Sequence, residues 1–173
     1  MKLLTTLLVL ITSVCSYSQM LTFDQAQNLR KKSLADVEAF LTARKWEMTE
    51  AQEATDEKMG KVVFGYDISQ FDSEKAASWV SFMPSKLGGE YNRLSIQVNK
   101  PALYTAFMTR LTANGYKLKS SGIVDGGIKK VYTATSTTCV VTTSTVEGVY
   151  TKSTSYSFFF INTTSYKLNY EDE

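Results

Sequence analysis

The sequence has no histidine, and this absence removes the side chain that most often moves protons near neutral pH. Catalytic triads and cysteine–histidine dyads therefore cannot exist in their common forms. Two cysteines, Cys15 and Cys139, are too few for the usual zinc sites, and the chain has no calcium-loop or phosphate-loop motif. We expect no metal, no cofactor and no assignable catalytic residue, which favours a binding protein over an enzyme without deciding between them.

The sequence has one long apolar run, at its start, and no second one. Residues 3–14 are nearly all apolar, Lys2 precedes them, and the small residues Ser16 and Ser18 follow at cleavage-site spacing. This pattern is typical of a secretory signal peptide at residues 1–18. We therefore expect export to the periplasm or the medium, and no transmembrane segment in the mature chain.

A lipid anchor on Cys15 is the alternative to a free exported protein. Lipoprotein signals place a small residue before the modified cysteine, and Val14 does not fit that pattern. After cleavage Cys139 is the single cysteine, so no internal disulfide is expected and packing must stabilise the fold. The 19 basic and 17 acidic residues are too balanced to indicate a nucleic-acid partner, and they leave the oligomeric state open.

Hydrophobic periodicity predicts an α+β protein. A first helix is expected from Thr22, which can cap it, to about Arg44, and a second helix from Pro101 to Asn114. Alternation of apolar and polar residues is clearest at residues 93–98, whose Leu94, Ile96 and Val98 should point inward. Strands are predicted at residues 46–49, 61–68, 78–83, 93–98, 116–119, 129–132, 139–146 and 150–161.

Two similar segments lie 70 positions apart, LTARKWEM at residues 41–48 and LTANGYKL at residues 111–118. Each ends a predicted helix and begins a predicted strand with an aromatic residue, which indicates a tandem repeat. Each repeat would be a helix followed by four antiparallel strands, with the helices on one face of one sheet or of two. The predicted divisions are a signal peptide, a first repeat, a second repeat and a polar C-terminal tail, at residues 1–18, 19–99, 100–162 and 163–173.

This order of elements after a secretion signal resembles the beta-lactamase inhibitor protein family. The resemblance covers most of the mature chain, but it is carried by element order and by no motif. The disulfide cysteines of that family are absent, so no residue role is transferred. The resemblance implies a scaffold that presents a concave, aromatic-bearing sheet to another protein.

Aromatic residues of the strands form the candidate binding surface: Trp79, Phe82, Tyr132, Tyr150 and Tyr156. Exposed aromatic side chains anchor interfaces, although the same residues could instead fill a core between helix and sheet. We predict a non-catalytic exported binding or interaction module of the bacterial envelope, with another protein or an envelope component as its partner. The alternatives are a small exported enzyme or enzyme inhibitor, and a periplasmic lipid-carrying or envelope-assembly factor.

The enzyme alternative would depend on carboxylates, because the other common catalytic groups are missing. The candidate aspartates lie at predicted turns and helix starts, where such residues usually cap or turn the chain: Asp24, Asp56, Asp67, Asp72 and Asp125. An enzyme would need two of them in one pocket. The basic residues 30–32 are interpreted as a solvent-exposed helix face.

Overall fold

The computed structural model describes residues 20–55, 58–147 and 152–170, and within them the protein is α+β with four α-helices and one eight-stranded antiparallel sheet. The helices are α1 (Phe23–Arg30), α2 (Leu34–Thr42), α3 (Pro101–Ala113) and α4 (Thr163–Tyr170). The strands are β1 (Trp46–Gln52), β2 (Lys61–Ser69), β3 (Asp72–Met83), β4 (Arg93–Val98), β5 (Lys117–Val124), β6 (Gly127–Thr133), β7 (Thr137–Glu147) and β8 (Lys152–Asn162).

The prediction of one helix from Thr22 to Arg44 is wrong, because two helices occupy this stretch. Thr22 caps α1 in a capping box with Gln25. The chain then turns, and the hydroxyl of Ser33 accepts a hydrogen bond from the amide of Asp36 and starts α2. An N-cap of this kind satisfies an amide that the first helical turn leaves unpaired, so Ser33 favours a new helix over a continuous one.

All eight strands belong to one sheet, so the possibility of two separate sheets is wrong. Their order is β1-β2-β3-β4-β8-β7-β6-β5, with β4 and β8 paired at the centre and β1 and β5 at the edges. β3 begins at Asp72, six residues before the predicted strand, because the β2–β3 hairpin extends into a charged segment. Backbone pairing alone supports such an extension, since its side chains need no core.

The main core lies between the sheet and the first three helices. The prediction that Leu94, Ile96 and Val98 point inward is confirmed, since each is fully buried. The helices contribute the apolar stripes Ala26 and Leu29 from α1, Val37 and Leu41 from α2, and Phe107 and Leu111 from α3. We call this side of the sheet the helix face and the opposite side the outer face.

Two predictions are wrong for the C-terminal segment. Residues 163–170 form the helix α4 where a polar tail was expected, and α4 lies on the outer face although all helices were expected on one face. Its Tyr166 is buried against Val131, Val140 and Ile161, which alternate along their strands with residues of the main core. The side chain of Asn162 accepts hydrogen bonds from the amides of the first helical turn and caps α4. The helices therefore do not all pack on one face of the sheet.

Candidate functional site

The predicted aromatic surface is not one surface. Phe82 is completely buried in the main core, and Tyr132 and Tyr156 are half-buried against the same core on the helix face. Tyr156 stacks on Tyr104 of α3, with ring centroids 4.3 Å apart. Tyr150 lies outside the described residues. Three of the four described aromatics therefore pack with the helices.

Trp79 is the exception, because it alternates with Ser78 and Val80 of the core and so lies on the outer face of β3. Its side chain is partly exposed and crosses the neighbouring strand at Gly65. A Cβ atom at that glycine would lie 2.8 Å from the indole ring. The same Cβ atom would also lie 2.8 Å from two side-chain atoms of Ile68, so the glycine leaves room for both side chains.

The other chemically reactive groups do not form a catalytic arrangement in the described part of the chain. Cys139 is fully buried, and burial raises the pKa of its thiol, so it is not an activated nucleophile. Asp24 begins α1 and pairs with Arg110 at 2.7 Å, whereas Asp67 and Asp125 have positive φ angles. Asp72 pairs with Lys75, and Asp56 lies outside the described residues. The described residues contain no group of three or more potential metal ligands.

The feature that sequence reasoning missed is Arg30, whose side chain is only 1% exposed. A run of three basic residues indicates a solvated face, yet Arg30 at the end of α1 points into the protein. Its burial depends on Glu90 and Asn92, about 60 positions later in the chain. Because those partners are distant in sequence, no local signal could have identified them.

The guanidinium of Arg30 is held mainly by backbone carbonyls. Its Nη1 atom donates to the carbonyl oxygens of Glu90 at 2.6 Å and Asn92 at 3.2 Å. Its Nη2 atom lies 3.4 Å from Thr137 Oγ1 and 3.7 Å from a Glu90 carboxylate oxygen that is itself largely exposed. Burial lowers the pKa of Arg30, and the charge of Glu90 opposes that shift. A buried positive charge thus has only a partial counter-charge.

A polar cavity of about 280 Å³ opens beside this guanidinium, between α1, the end of α3 and the β6–β7 turn. We call it the Arg30 pocket. Among the described residues that line it, Arg30 and Lys31 are the only charged ones. The Glu90 carboxylate lies outside the lining but pairs with both, at 3.7 Å from Arg30 Nη2 and 3.2 Å from Lys31 Nζ. The remaining lining groups are mostly amides and hydroxyls: Gln27, Asn28, Asn114, Tyr116, Thr135, Ser136 and Thr137.

Tyr116 contributes a hydroxyl to the pocket, where it accepts a hydrogen bond from the side-chain amide of Gln27. Burial, with a smaller contribution from Cys139, raises the pKa of Tyr116 to about 12, although hydrogen bonds from Thr137 and Gln27 and the charge of Arg30 act in the opposite direction. The hydroxyl is therefore protonated at neutral pH and can donate a hydrogen bond to a ligand. It is not a general base.

Known proteins add no information about this site, since no family model, no curated protein and no solved structure matches the chain. None of these comparisons supports the resemblance to the beta-lactamase inhibitor protein family. No helix in the described residues is both long and apolar enough to cross a membrane.

Proposed function

We propose that this chain is a non-catalytic exported binding protein of the bacterial envelope, and that the Arg30 pocket takes a small ligand bearing an oxyanion. The observation that carries this proposal is the charge of the lining: among the described residues two cations line the pocket, and Glu90, the single carboxylate that pairs with both of them, lies outside the lining. Carboxylate and phosphate groups share the required chemistry, because both accept several charge-assisted hydrogen bonds. The protonated Tyr116 hydroxyl and the neighbouring amides supply further donors.

The expected affinity is modest. A guanidinium and an oxyanion about 4 Å apart attract each other by about 4 kcal/mol at the effective dielectric constant of a protein surface, equivalent to a Kd of about 1 mM. The C-terminal ends of α1 and α3 lie at the pocket, and their carbonyl groups lower its positive potential. A natural ligand would gain further affinity from groups that contact the hydroxyls of the β6–β7 turn.

The test is an NMR titration of the leader-free protein with inorganic phosphate and with acetate, read on the side-chain amide signals of Gln27 and Asn114. We expect saturable shifts for at least one probe, with a Kd of about 1 mM. Lys31→Ala should weaken binding about two- to fivefold, because the lysine is half exposed. Lys32→Ala, which changes an exposed neighbour outside the pocket, should have no effect. Shifts that do not saturate, or equal responses of the two variants, would overturn the proposal.

A second candidate function is protein recognition through Trp79. Within the described residues, the apolar contacts of α4 are with β6, β7 and β8, and its Tyr170 also contacts Arg93 of β4, whereas the indole on β3 remains partly exposed. Trp79→Ala should abolish capture of a partner from the envelope fraction while Trp79→Phe retains part of it. A loss of capture that merely follows a lower melting temperature of the variant would contradict this function.

We further propose that the chain arose by duplication of a helix-plus-four-strand unit, with α2 and α3 as the equivalent helices and α1 as an addition. Positive φ angles at Lys45 and Gly115, 70 positions apart, support this proposal. Each precedes a buried aromatic residue, Trp46 or Tyr116. β1 and β5 also carry a bulge at the same relative position, between Met48 and Glu50 and between Leu118 and Ser120.

The strand faces bear on the alignment of the second strands of the two units. Lys-Val occurs at residues 61–62 and again at residues 130–131, an offset of 69, but Val62 faces the helices and Val131 faces α4. An offset of 68 for this strand keeps the faces and the hairpin registers consistent. Residues 94–96 of the first unit correspond to residues 158–160 of the second at an offset of 64. This offset relates Leu94 to Phe158 and Ile96 to Phe160, so it converts the cross-strand pair Leu94–Phe160 into the pair Phe158–Ile96.

A further inference from the structure

The two edges of the sheet have opposite charge. β1 carries Glu47 and Glu50 and no basic residue, whereas β5 carries Lys117 and Lys119 and no acidic residue. Glu50 already pairs with Lys61 of β2 at 3.3 Å, so Glu47 contributes most of the negative charge of the β1 edge. Both strands are largely exposed, and every residue of β5 is exposed. An exposed edge presents backbone groups that can pair with another strand, and its charges decide which strand that is.

The direction of the strands permits the two edges to meet. All neighbours in the eight-stranded sheet are antiparallel, so β1 and β5 run in opposite directions. If β1 of one copy lies beside β5 of another, the new pair is antiparallel and the helix faces of both copies lie on the same side. The join therefore continues the sheet without changing its pattern.

The side chains of the two edges also match on each face. Glu47 and Glu50 pair in register with Gly65 and Val63 and so lie on the outer face of β1, where a neighbouring β5 would present Lys117. On the helix face both edges carry apolar residues that are about half exposed or more. These are Met48 at 54% exposure on β1, and Leu118 at 55% and Ile123 at 82% on β5.

We propose that copies of this chain associate head to tail, with the acidic edge β1 of one copy pairing with the basic edge β5 of the next. Charge pairs form on the outer face, and apolar contacts form on the helix face. The contact is heterologous, so assembly does not stop at the dimer unless the geometry closes a ring. Pairing of β5 with β5 is disfavoured because it brings lysines together.

The test is sedimentation velocity on the leader-free full chain from about 5 µM to about 500 µM, a range that detects contacts with a Kd of micromolar to millimolar size. Association should increase with concentration, continue beyond the dimer and weaken as salt is added, because exposed charges are screened. Glu47→Lys and Lys117→Glu should each weaken self-association about tenfold, since each places like charges at the contact.

The decisive sample is an equimolar mixture of the Glu47→Lys and Lys117→Glu proteins, in which both kinds of contact again join opposite charges. The mixture should recover most of the association that each variant alone has lost. Lys167→Glu on the exposed side of α4 is the control and should leave association unchanged. A monomer at every concentration, an assembly that stops at a dimer insensitive to Glu47→Lys, or a mixture that recovers nothing would each overturn the proposal.

Discussion

Replacing Arg30 with methionine tests whether the hydrogen bonds of the buried guanidinium stabilise the fold around the Arg30 pocket. Methionine keeps much of the length and apolar stem of the side chain but donates no hydrogen bond. The carbonyl groups of Glu90 and Asn92 then lose the donor that joins the end of α1 to the chain before β4. Thr137, at the start of β7, loses a third and longer contact.

The expected loss of stability is worked from the two hydrogen bonds to carbonyl oxygens. A hydrogen bond that involves a charged group contributes about 1.5 kcal/mol or more, so two of them amount to about 3 kcal/mol. Glu90 adds little, because its carboxylate is 58% exposed and is rehydrated when Arg30 is lost. The desolvation that the charge no longer requires offsets part of the loss, so we expect Arg30→Met to lower the free energy of unfolding by about 2 to 3 kcal/mol.

Urea denaturation measures this change. With an m-value of about 2 kcal/mol/M, the midpoint should fall by about 1 to 1.5 M at constant m. Lys31→Met is the matched control, since it removes the adjacent half-exposed charge and should change stability by less than about 1 kcal/mol. An unchanged midpoint for Arg30→Met would refute the reasoning, because it would mean that the carbonyl contacts contribute nothing to the fold.

Three other predictions follow from the described contacts. The folded-state pKa of Tyr116 is about 12, above its ordinary value of 10.0. The contribution of the protonated hydroxyl to stability is therefore complete below pH 10 and is lost as the pH rises towards 12. In a pH series of urea midpoints, Tyr116→Phe should remove this part of the fall in the midpoint at high pH. Tyr166→Ala should destabilise the protein by about 3 kcal/mol in urea denaturation, whereas Leu168→Ala, at an exposed site on the same helix, should stay within about 0.5 kcal/mol. Gly65→Ala should lower the unfolding free energy by about 1 to 3 kcal/mol through a clash with the side chains of Ile68 and Trp79, and Gly122→Ala, with open space around it, should be nearly neutral. Equal effects of the two substitutions would contradict the described positions of these two side chains.

Periodicity predicted those elements of the fold whose pattern is local. Leu94, Ile96 and Val98 alternate with polar residues, and this pattern is sufficient to specify a strand with one buried face. The break between α1 and α2 was also within reach, because Ser33 precedes Asp36 at capping spacing. It was missed because the apolar stripe continues through the break.

α4 and the pocket could not be predicted in the same way, because distant contacts stabilise them. α4 is short and polar, and it is held on the outer face by Tyr166 and by a hydrogen bond of 2.8 Å from Arg93 to Tyr170. Arg30 is buried by carbonyl groups that arrive from the chain between β3 and β4. In α4 and in the Arg30 pocket the residues are mostly polar, so the local sequence does not indicate burial. Their contacts come from segments that only the tertiary fold brings close.

The most direct test of the central claim, that the Arg30 pocket binds an oxyanion, is anomalous diffraction from crystals of the leader-free protein soaked in selenate. Selenate is a tetrahedral oxyanion whose selenium atom can be located without reference to the protein. We expect an anomalous peak in the pocket, with an oxygen atom at a hydrogen-bond distance of about 2.7 to 3.2 Å from the Arg30 guanidinium, the Tyr116 hydroxyl or the Lys31 ammonium. Peaks at other surface sites with none in this pocket would contradict it.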